Sequence, residues 1–415
     1  MYSLENFRKR NTISISLVEF FWGFGLTVLV ESTFLQLFLR HYQASLFVIG
    51  LIPLMFSLII PLMSILSAYI TSSIERKKEL VVIVHILATL PVLTFGIILF
   101  FSSIEKLIIP VFLFFYALFS CGIGLTLPIW QNYLVKIFKE KDTIKALSIM
   151  NITQSLTKLI SSVVIFKTIE FFSISRESVS IIFILAGIVT FVGSFFFLVS
   201  VESSNKLEIF KNETLKVNDF FNLFQQSLKN RNFIYFILND VGFFAVINVI
   251  SFYAVYAEEI CQINPAVISG IFISVGVCGG IFVQFIIGYS NFFALKHKYI
   301  VEKILSLVGI LCLIVWPNTF GFLIASFVLG ASRSIRSLCL PFTIKKIFND
   351  KDATPYFAFA SFLILPVSAG LPVLTGKLLD IFSYLENLSY QVVFISMGLL
   401  VLISLFFVLK INLYE

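Results

Sequence analysis

The chain has 415 residues, of which 59% are hydrophobic, 16% are aromatic and only 13% are charged. Soluble globular domains carry charges on about a quarter of their residues, so this composition excludes a soluble protein. The net charge of +7 could indicate nucleic acid binding, but the basic residues are spread between apolar segments rather than gathered in one patch. We therefore expect no nucleic acid partner and a protein that resides in a lipid bilayer.

Long apolar segments follow one another from one end of the sequence to the other. Each is long enough to cross a hydrocarbon core about 30 Å thick, and continuous segments of this length satisfy their backbone in lipid as helices. We therefore predict an all-α membrane protein. Its twelve transmembrane helices are predicted at residues 13–39, 46–72, 80–103, 106–135, 144–172, 178–201, 231–257, 265–290, 298–316, 319–343, 354–381 and 389–410.

Basic residues are distributed unevenly between the two sides of the predicted membrane. If the N-terminus is cytoplasmic, the outer loops contain only Arg40, Lys106 and Arg176, and the inner side contains most of the others, Lys303 among them. This asymmetry follows the positive-inside rule. We predict an integral protein of the plasma membrane, which is the inner membrane in a bacterium, with both termini in the cytoplasm.

A charged heptapeptide occurs twice in the chain. KIFKEKD at 136–142 returns as KIFNDKD at 346–352, a shift of 210 residues, and FKTIEFFS aligns with GKLLDIFS at the same shift. Earlier in the chain Glu19 aligns with Asp240 at a shift of 221. We interpret these matches as an internal duplication with both halves in the same orientation. The predicted parts are an N-terminal six-helix bundle at 1–201, a cytoplasmic linker at 202–230 and a C-terminal six-helix bundle at 231–415.

The loop between the second and third predicted spans reads AYITSSIERKK, and its copy in the second half reads GYSNFFALKHK. Together with the span count and the repeat, this pattern resembles the major facilitator superfamily, although Ser72 and Phe292 replace the acidic residue of the family's loop. The resemblance implies two parallel six-helix bundles that alternately open to either side of the membrane around a central site. It also implies a gating loop on each half, which here would contain Arg76, Lys77, Lys78, Lys296 and Lys298.

Six ionisable residues lie inside predicted spans, where an isolated charge costs at least about 2.5–3.5 kcal/mol. By the resemblance, most of them would face the central cavity. Three are acidic and three are basic, so they could neutralise one another. They are Glu19, Glu31, Lys158, Asp240, Arg333 and Arg336.

Two arginines in the tenth predicted span are the most specific of these candidates for binding an anion. Arg333 and Arg336 are three residues apart and therefore lie on one side of the helix, interleaved with serines. Guanidinium and hydroxyl groups so placed suit a carboxylate or phosphate of a substrate. The alternatives are an ion pair with Asp240 or Glu19 that closes the cytoplasmic side, and snorkelling of Arg336 to the interface.

A ribbon of polar residues runs along one face of the fifth predicted span. We interpret it as a cavity wall that contacts substrate, with hydrogen bonding between helices as the alternative. The ribbon contains Asn151, Gln154, Ser155, Lys158 and Ser162. The predicted substrate-binding residues are accordingly Arg333, Arg336, Lys158, Asn151, Ser155 and Gln154.

Three carboxylates are candidates for proton coupling or gating: Glu19, Asp240 and Glu31. A buried carboxylate can load and release a proton, whereas permanent pairing with an arginine would keep it charged. Glu31 lies about 120° around an ideal helix from Glu19, so the two cannot be centred on one face.

The sequence lacks the motifs of an enzyme: there is no HExxH, GxSxG or phosphate-binding loop, and only three histidines. We predict no cofactor and no metal. The predicted function is secondary active transport of a small organic solute, anionic or zwitterionic, by a monomer, with the proton as candidate coupling ion. The alternatives are an efflux carrier for multiple drugs or hydrophobic compounds, a channel, and a membrane sensor that keeps the scaffold without transporting.

Overall fold

The computed structural model describes residues 4–71, 74, 76–101, 105–138, 140–202, 217–289, 293–348 and 354–412. Within these ranges every regular element is helical, which confirms the all-α prediction. Ser72, Phe292 and parts of both copies of the heptapeptide lie outside the described residues.

The helices follow the predicted spans closely, with one additional break. The first half contains α1 (Leu4–Leu29), α2 (Ser32–His41), α3 (Leu46–Thr71), α4 (Lys78–Phe101), α5 (Ile108–Ile137), α6 (Glu140–Phe172) and α7 (Arg176–Ser194). The second half contains α8 (Val217–Lys229), α9 (Arg231–Val255), α10 (Phe272–Val283), α11 (Leu295–Val315), α12 (Thr319–Phe348), α13 (Thr354–Ile381) and α14 (Asn387–Lys410). Wide π-type turns at Val267–Ile271 and Gln284–Tyr289 extend α10 at both ends, so that the eighth span covers residues 267–289.

Eleven helices within the described residues are long and apolar enough to cross a membrane. The predicted ninth span, 298–316, corresponds to α11, which is not one of these eleven helices. Its first turns carry Lys296, Lys298, Glu302 and Lys303. With 21 residues, α11 is about 31 Å long at 1.5 Å per residue, which is sufficient for a twelfth span.

The chain divides into two compact units. The N-terminal unit comprises Met1–Ser204 together with Asn264–Ser274, and the C-terminal unit comprises Asn205–Ile263 together with Val275–Glu415. Residues 203–216 of the predicted linker lie outside the described residues, and its remainder contains α8, which packs on α13. The predicted domain limits stay a prediction.

In the N-terminal unit α1 packs against α6 and α7, and α4 packs against α5 and α7. Phenylalanines fill the centre of this unit, in a cluster of Phe38, Phe95, Phe112 and Phe183 with ring centroids 4.9–6.0 Å apart. Such aromatic pairs contribute about 0.5–1.5 kcal/mol each beyond the area that they bury.

In the C-terminal unit α9 packs against α14, and α11 packs against α12 and α14. Glycines bring α10 and α12 into backbone contact. A Cβ added at Gly330 would lie 2.1 Å from the backbone oxygen of Gly276, and one at Gly279 would lie 2.0 Å from that of Phe327. Small residues permit this close approach, which supplies van der Waals packing in a lipid environment.

We expect Gly330→Ala to lower the free energy of unfolding by about 1–3 kcal/mol, because the added methyl group meets backbone that has to shift. Gly370→Ala is the matched control, since an added Cβ at Gly370 has no heavy atom within 4 Å. Melting temperatures of both variants in detergent measure the difference. Equal melting temperatures would show that the contact between α10 and α12 is not close.

The same reciprocal pair of hydrogen bonds is found inside each unit. In the N-terminal unit the Asn11 carboxamide accepts from the Val201 amide at 2.7 Å and donates to the Val201 carbonyl at 3.0 Å. In the C-terminal unit Asn232 makes the same two bonds with Asn412, at 3.1 and 3.3 Å. The first residues of the two pairs are 221 positions apart and the second are 211 apart, within one residue of the shifts of 221 and 210 in the sequence repeat. Each pair joins the first span of its unit to the residues that follow the last span.

Candidate functional site

The first span, predicted as continuous over 13–39, is broken between α1 and α2. The amides of Val30 and Glu31 both point to the Leu26 carbonyl, at 2.9 and 3.3 Å, and Glu31 is extended with φ −76° and ψ 109°. The prediction of one uninterrupted helix is therefore wrong. A helix break inside a span leaves backbone groups without their usual partners at membrane depth.

Glu31 lies at this break and pairs with Lys158 of α6. The Lys158 Nζ atom is 3.2 Å from Glu31 Oε1, and the two side chains are 19% and 13% exposed. The pair neutralises two of the six charges that the sequence places in spans.

Glu19, one of the proton-coupling candidates, lies on α1 and is 9% exposed. The Gln154 carboxamide of α6 donates to its Oε2 atom at 2.6 Å. A carboxamide is neutral, so it orients this carboxylate without supplying a charge that would balance it.

The polar ribbon of α6 contributes to helix contacts within the N-terminal unit. Gln154 and Lys158 reach the first span, and the Ser162 hydroxyl is 2.6 Å from that of Ser274. Ser155 is partly buried and Asn151 is exposed. Hydrogen bonding between helices, the alternative for this ribbon, is thus present, and its role as a cavity wall stays a prediction.

Asp240 and Arg336 form an ion pair inside the C-terminal unit. Arg336 Nε donates to Asp240 Oδ1 at 3.0 Å, and its terminal nitrogen donates to Oδ2 at 2.7 Å. The guanidinium carbon also lies 4.4 Å from the centre of the Phe243 ring. Such a two-point contact is among the strongest that a carboxylate makes. Arg333 lies one helical turn away, partly buried.

A second ion pair of the C-terminal unit was missed in the sequence. Glu302 and Lys303 of α11 are 0% and 1% exposed, and Lys303 Nζ lies 2.8 Å from Glu302 Oε2. Ser332 of α12 contacts the other carboxylate oxygen at 3.5 Å. The sequence analysis counted Lys303 among the basic residues of the inner side, and the structure shows that its side chain is buried among helices. The available signal was a pair of adjacent opposite charges several residues inside the predicted span 298–316.

The basic residues of the predicted gating loops bind helix ends. In the N-terminal unit the amides of Lys77 and Lys78 donate to the Glu202 carboxylate at 3.1 and 2.9 Å, and Lys78 Nζ donates to the Leu198 and Ser200 carbonyls. Arg76 is exposed.

In the C-terminal unit Lys296 Nζ donates to the Leu409 carbonyl at 2.6 Å, and Lys298 lies in the first turn of α11. In each unit, then, a lysine of this loop stabilises carbonyls at the end of the last span. A gating role stays a prediction.

Among the described residues no group of three or more His, Cys, Asp or Glu side chains could hold a metal ion. Ion pairs lie inside the spans of both units: Glu31 with Lys158 in the N-terminal unit, and Asp240 with Arg336 and Glu302 with Lys303 in the C-terminal unit.

Several solved structures share this fold. A variant of the nucleoside transporter NupG superposes with a TM-score of 0.72 at 12% identity, covering 98% of this chain and 99% of that chain. A bacterial homolog of the human lysosomal transporter Spinster gives 0.65 at 12% identity, covering 98% and 97%. A POT family transporter in complex with 5-aminolevulinic acid gives 0.67 at 13% identity, covering 97% of each chain. No curated protein sequence matches this chain.

These identities are low, so the structural likeness shows the fold alone. The sequence itself supplies the family, since the model of the Major Facilitator Superfamily matches residues 14–294, more than half of the chain. This match confirms the resemblance found in the sequence and supports a transporter in a membrane rather than an enzyme. The chain belongs to the Major Facilitator Superfamily.

Proposed function

We propose that the chain is a secondary active transporter that moves a small organic anion or zwitterion by alternating access, together with protons. The observation that carries the proposal is the set of ionisable side chains that a Major Facilitator Superfamily chain buries in both of its units. Buried charges are expensive in a membrane and mark solute or proton paths.

The anionic character of the solute is supported by two cations that lie at membrane depth. Lys158 and Arg333 are both partly buried in spans, and Arg333 follows the same face of α12 as the paired Arg336. The solved structures of this fold include the peptide transporter POT in complex with sulfate and a POT family transporter with 5-aminolevulinic acid. These two molecules are therefore sensible first solutes to test.

Proton coupling is supported chiefly by Glu19. Its partner Gln154 donates a hydrogen bond without a positive charge, so the Glu19 carboxyl group keeps a partner in either protonation state. Asp240 differs, because Arg336 holds it in a two-point ion pair. We propose that Glu19 carries the proton and that Asp240 and Arg336 act as a structural or gating pair.

We expect Arg333→Ala to abolish solute binding while the protein remains folded in detergent, because the solute loses a charge-assisted partner. The measurement is a melting-temperature screen over organic acids, sugar phosphates, amino acids and hydrophobic cations. Lys345→Ala, an exposed position on the same helix, is the matched control. An unchanged response in Arg333→Ala would remove the anion argument, and stabilisation by hydrophobic cations alone would favour the efflux alternative.

Uptake into proteoliposomes then separates the function classes. A solute selected by the screen should enter with a rate that saturates as its concentration rises. A rate that rises linearly without limit would indicate a channel. Stabilisation by solute without any flux would indicate a sensor.

A further inference from the structure

The break in the first span places the N-terminus of α2 beside a buried lysine. The helix α2 has ten residues, and Glu31 at its N-cap makes no side-chain capping hydrogen bond. The first amides of a helix point outwards and carry a partial positive charge, which favours an anion at this end. Lys158, 3.2 Å from Glu31, adds a full positive charge at the same place.

A buried hydroxyl in the first turn of α2 also lacks a partner. Thr33 is 3% exposed, and its Oγ1 atom has no hydrogen-bond partner among the described residues. Unpaired buried hydroxyls are uncommon, since burying one without a hydrogen bond costs about 1–3 kcal/mol. Among the described residues, the Thr33 hydroxyl is therefore a donor of this turn without an acceptor.

We propose that this place is an anion site for the carboxylate of the transported solute, formed by Lys158, Thr33 and the amides that open α2. The inference rests on the proposed function and adds to it a place in the N-terminal unit for a carboxylate of the solute. In the structure the Lys158 part of this site contacts a carboxylate of the chain itself, that of Glu31. Arg336 is less suited to the task because Asp240 already engages it at two points.

A solute carboxylate would exchange with Glu31 at Lys158. If Glu31 took up one proton from water on leaving Lys158, it would become neutral. Lys158 would then face the solute carboxylate in its place, and the net buried charge would be unchanged. We expect water to supply this proton, because the neighbouring groups are poor proton donors to Glu31. Glu19 on α1 is itself acidic, and Tyr116 on α5 donates to the Leu29 carbonyl at 3.2 Å. The segment Asn264–Ser274, which packs on α2 and α6, has no titratable residue.

Acetate is the probe for this site, with melting temperature measured against sodium chloride at equal ionic strength. We expect acetate to stabilise the wild-type protein more strongly as the pH falls from about 8 to about 6, since Glu31 must gain a proton. Glu31→Gln should lower the half-saturating acetate concentration at least about tenfold and remove this pH dependence. Lys158→Met should remove the response.

The matched control is Glu170→Gln, which breaks an exposed pair with Lys167 on the same helix, at 2.6 Å, and should leave the acetate response unchanged. The neutral double variant Glu31→Gln with Lys158→Met guards against misfolding and should be stable without responding to acetate. A response that persists in either Lys158 variant, or that is equal in wild type and Glu31→Gln, would overturn the site.

Failure of this site is distinguishable from failure of the transport proposal. If solute uptake saturates with the same half-saturating concentration in Lys158→Met and in wild type, the site is rejected and the carrier stands. If no solute is taken up while acetate binding behaves as expected, the site stands and the carrier is rejected.

Discussion

Lys303→Met should lower the free energy of unfolding by about 3–5 kcal/mol, one of the two largest effects that the structure leads us to expect. The substitution leaves the Glu302 carboxylate fully buried without its cation, and an uncompensated buried charge carries a penalty of this size. Met has a similar length and an apolar side chain, so little packing is lost. Chemical unfolding in detergent, followed by circular dichroism, measures the change.

The double variant Glu302→Gln with Lys303→Met is the control for this result. It removes both charges, and replacement of a buried pair by neutral groups is often tolerated. We expect most of the lost stability to return. A single Lys303→Met variant as stable as wild type would mean that α11 does not bury this pair as the structure describes.

Glu19→Gln should remove one proton from the transport cycle. Each proton that moves with the solute down an inward gradient of one pH unit supports about tenfold accumulation, since one such unit equals about 1.4 kcal/mol. We expect accumulation in the variant to fall about tenfold at this gradient, because Gln cannot take up the proton that Glu19 carries. Radiolabelled solute in proteoliposomes with an imposed pH gradient measures it.

Glu170→Gln again serves as the matched control, since its carboxylate is exposed and paired with Lys167. It should accumulate solute as wild type does. Full accumulation by Glu19→Gln would show that another group carries the proton, or that the proton is not the coupled ion.

The general fold was readable from the sequence because the lengths of the apolar segments determine it. Span length follows from bilayer thickness, so each long apolar segment predicted one helix. The orientation inferred from the positions of Lys and Arg stays a prediction. The repeat was readable as well, and the Asn11 and Asn232 pairs show it again in the structure at shifts within one residue of those in the sequence. The predicted ninth span differs from the other eleven in its charged residues, four of which lie in the first nine positions of α11, a helix long enough to span.

The pairing of charges was only partly readable. Asp240 with Arg336 was one of the open alternatives, whereas Glu31 with Lys158 was not foreseen. Helical periodicity assumes a continuous helix. The break at Glu31 changes the direction of its side chain, and no residue near it in the sequence indicates the break. Glu302 and Lys303 were overlooked because the sequence shows two adjacent opposite charges but not the neighbouring helices that bury them.

The proposal that the chain is an alternating-access carrier is tested most directly by counterflow in proteoliposomes without any pH gradient. Vesicles are preloaded with unlabelled solute, and uptake of a trace of labelled solute is followed. The account predicts that internal solute accelerates the uptake and drives a transient accumulation of label, because the loaded carrier returns by exchange. Uptake that is indifferent to internal solute would contradict it.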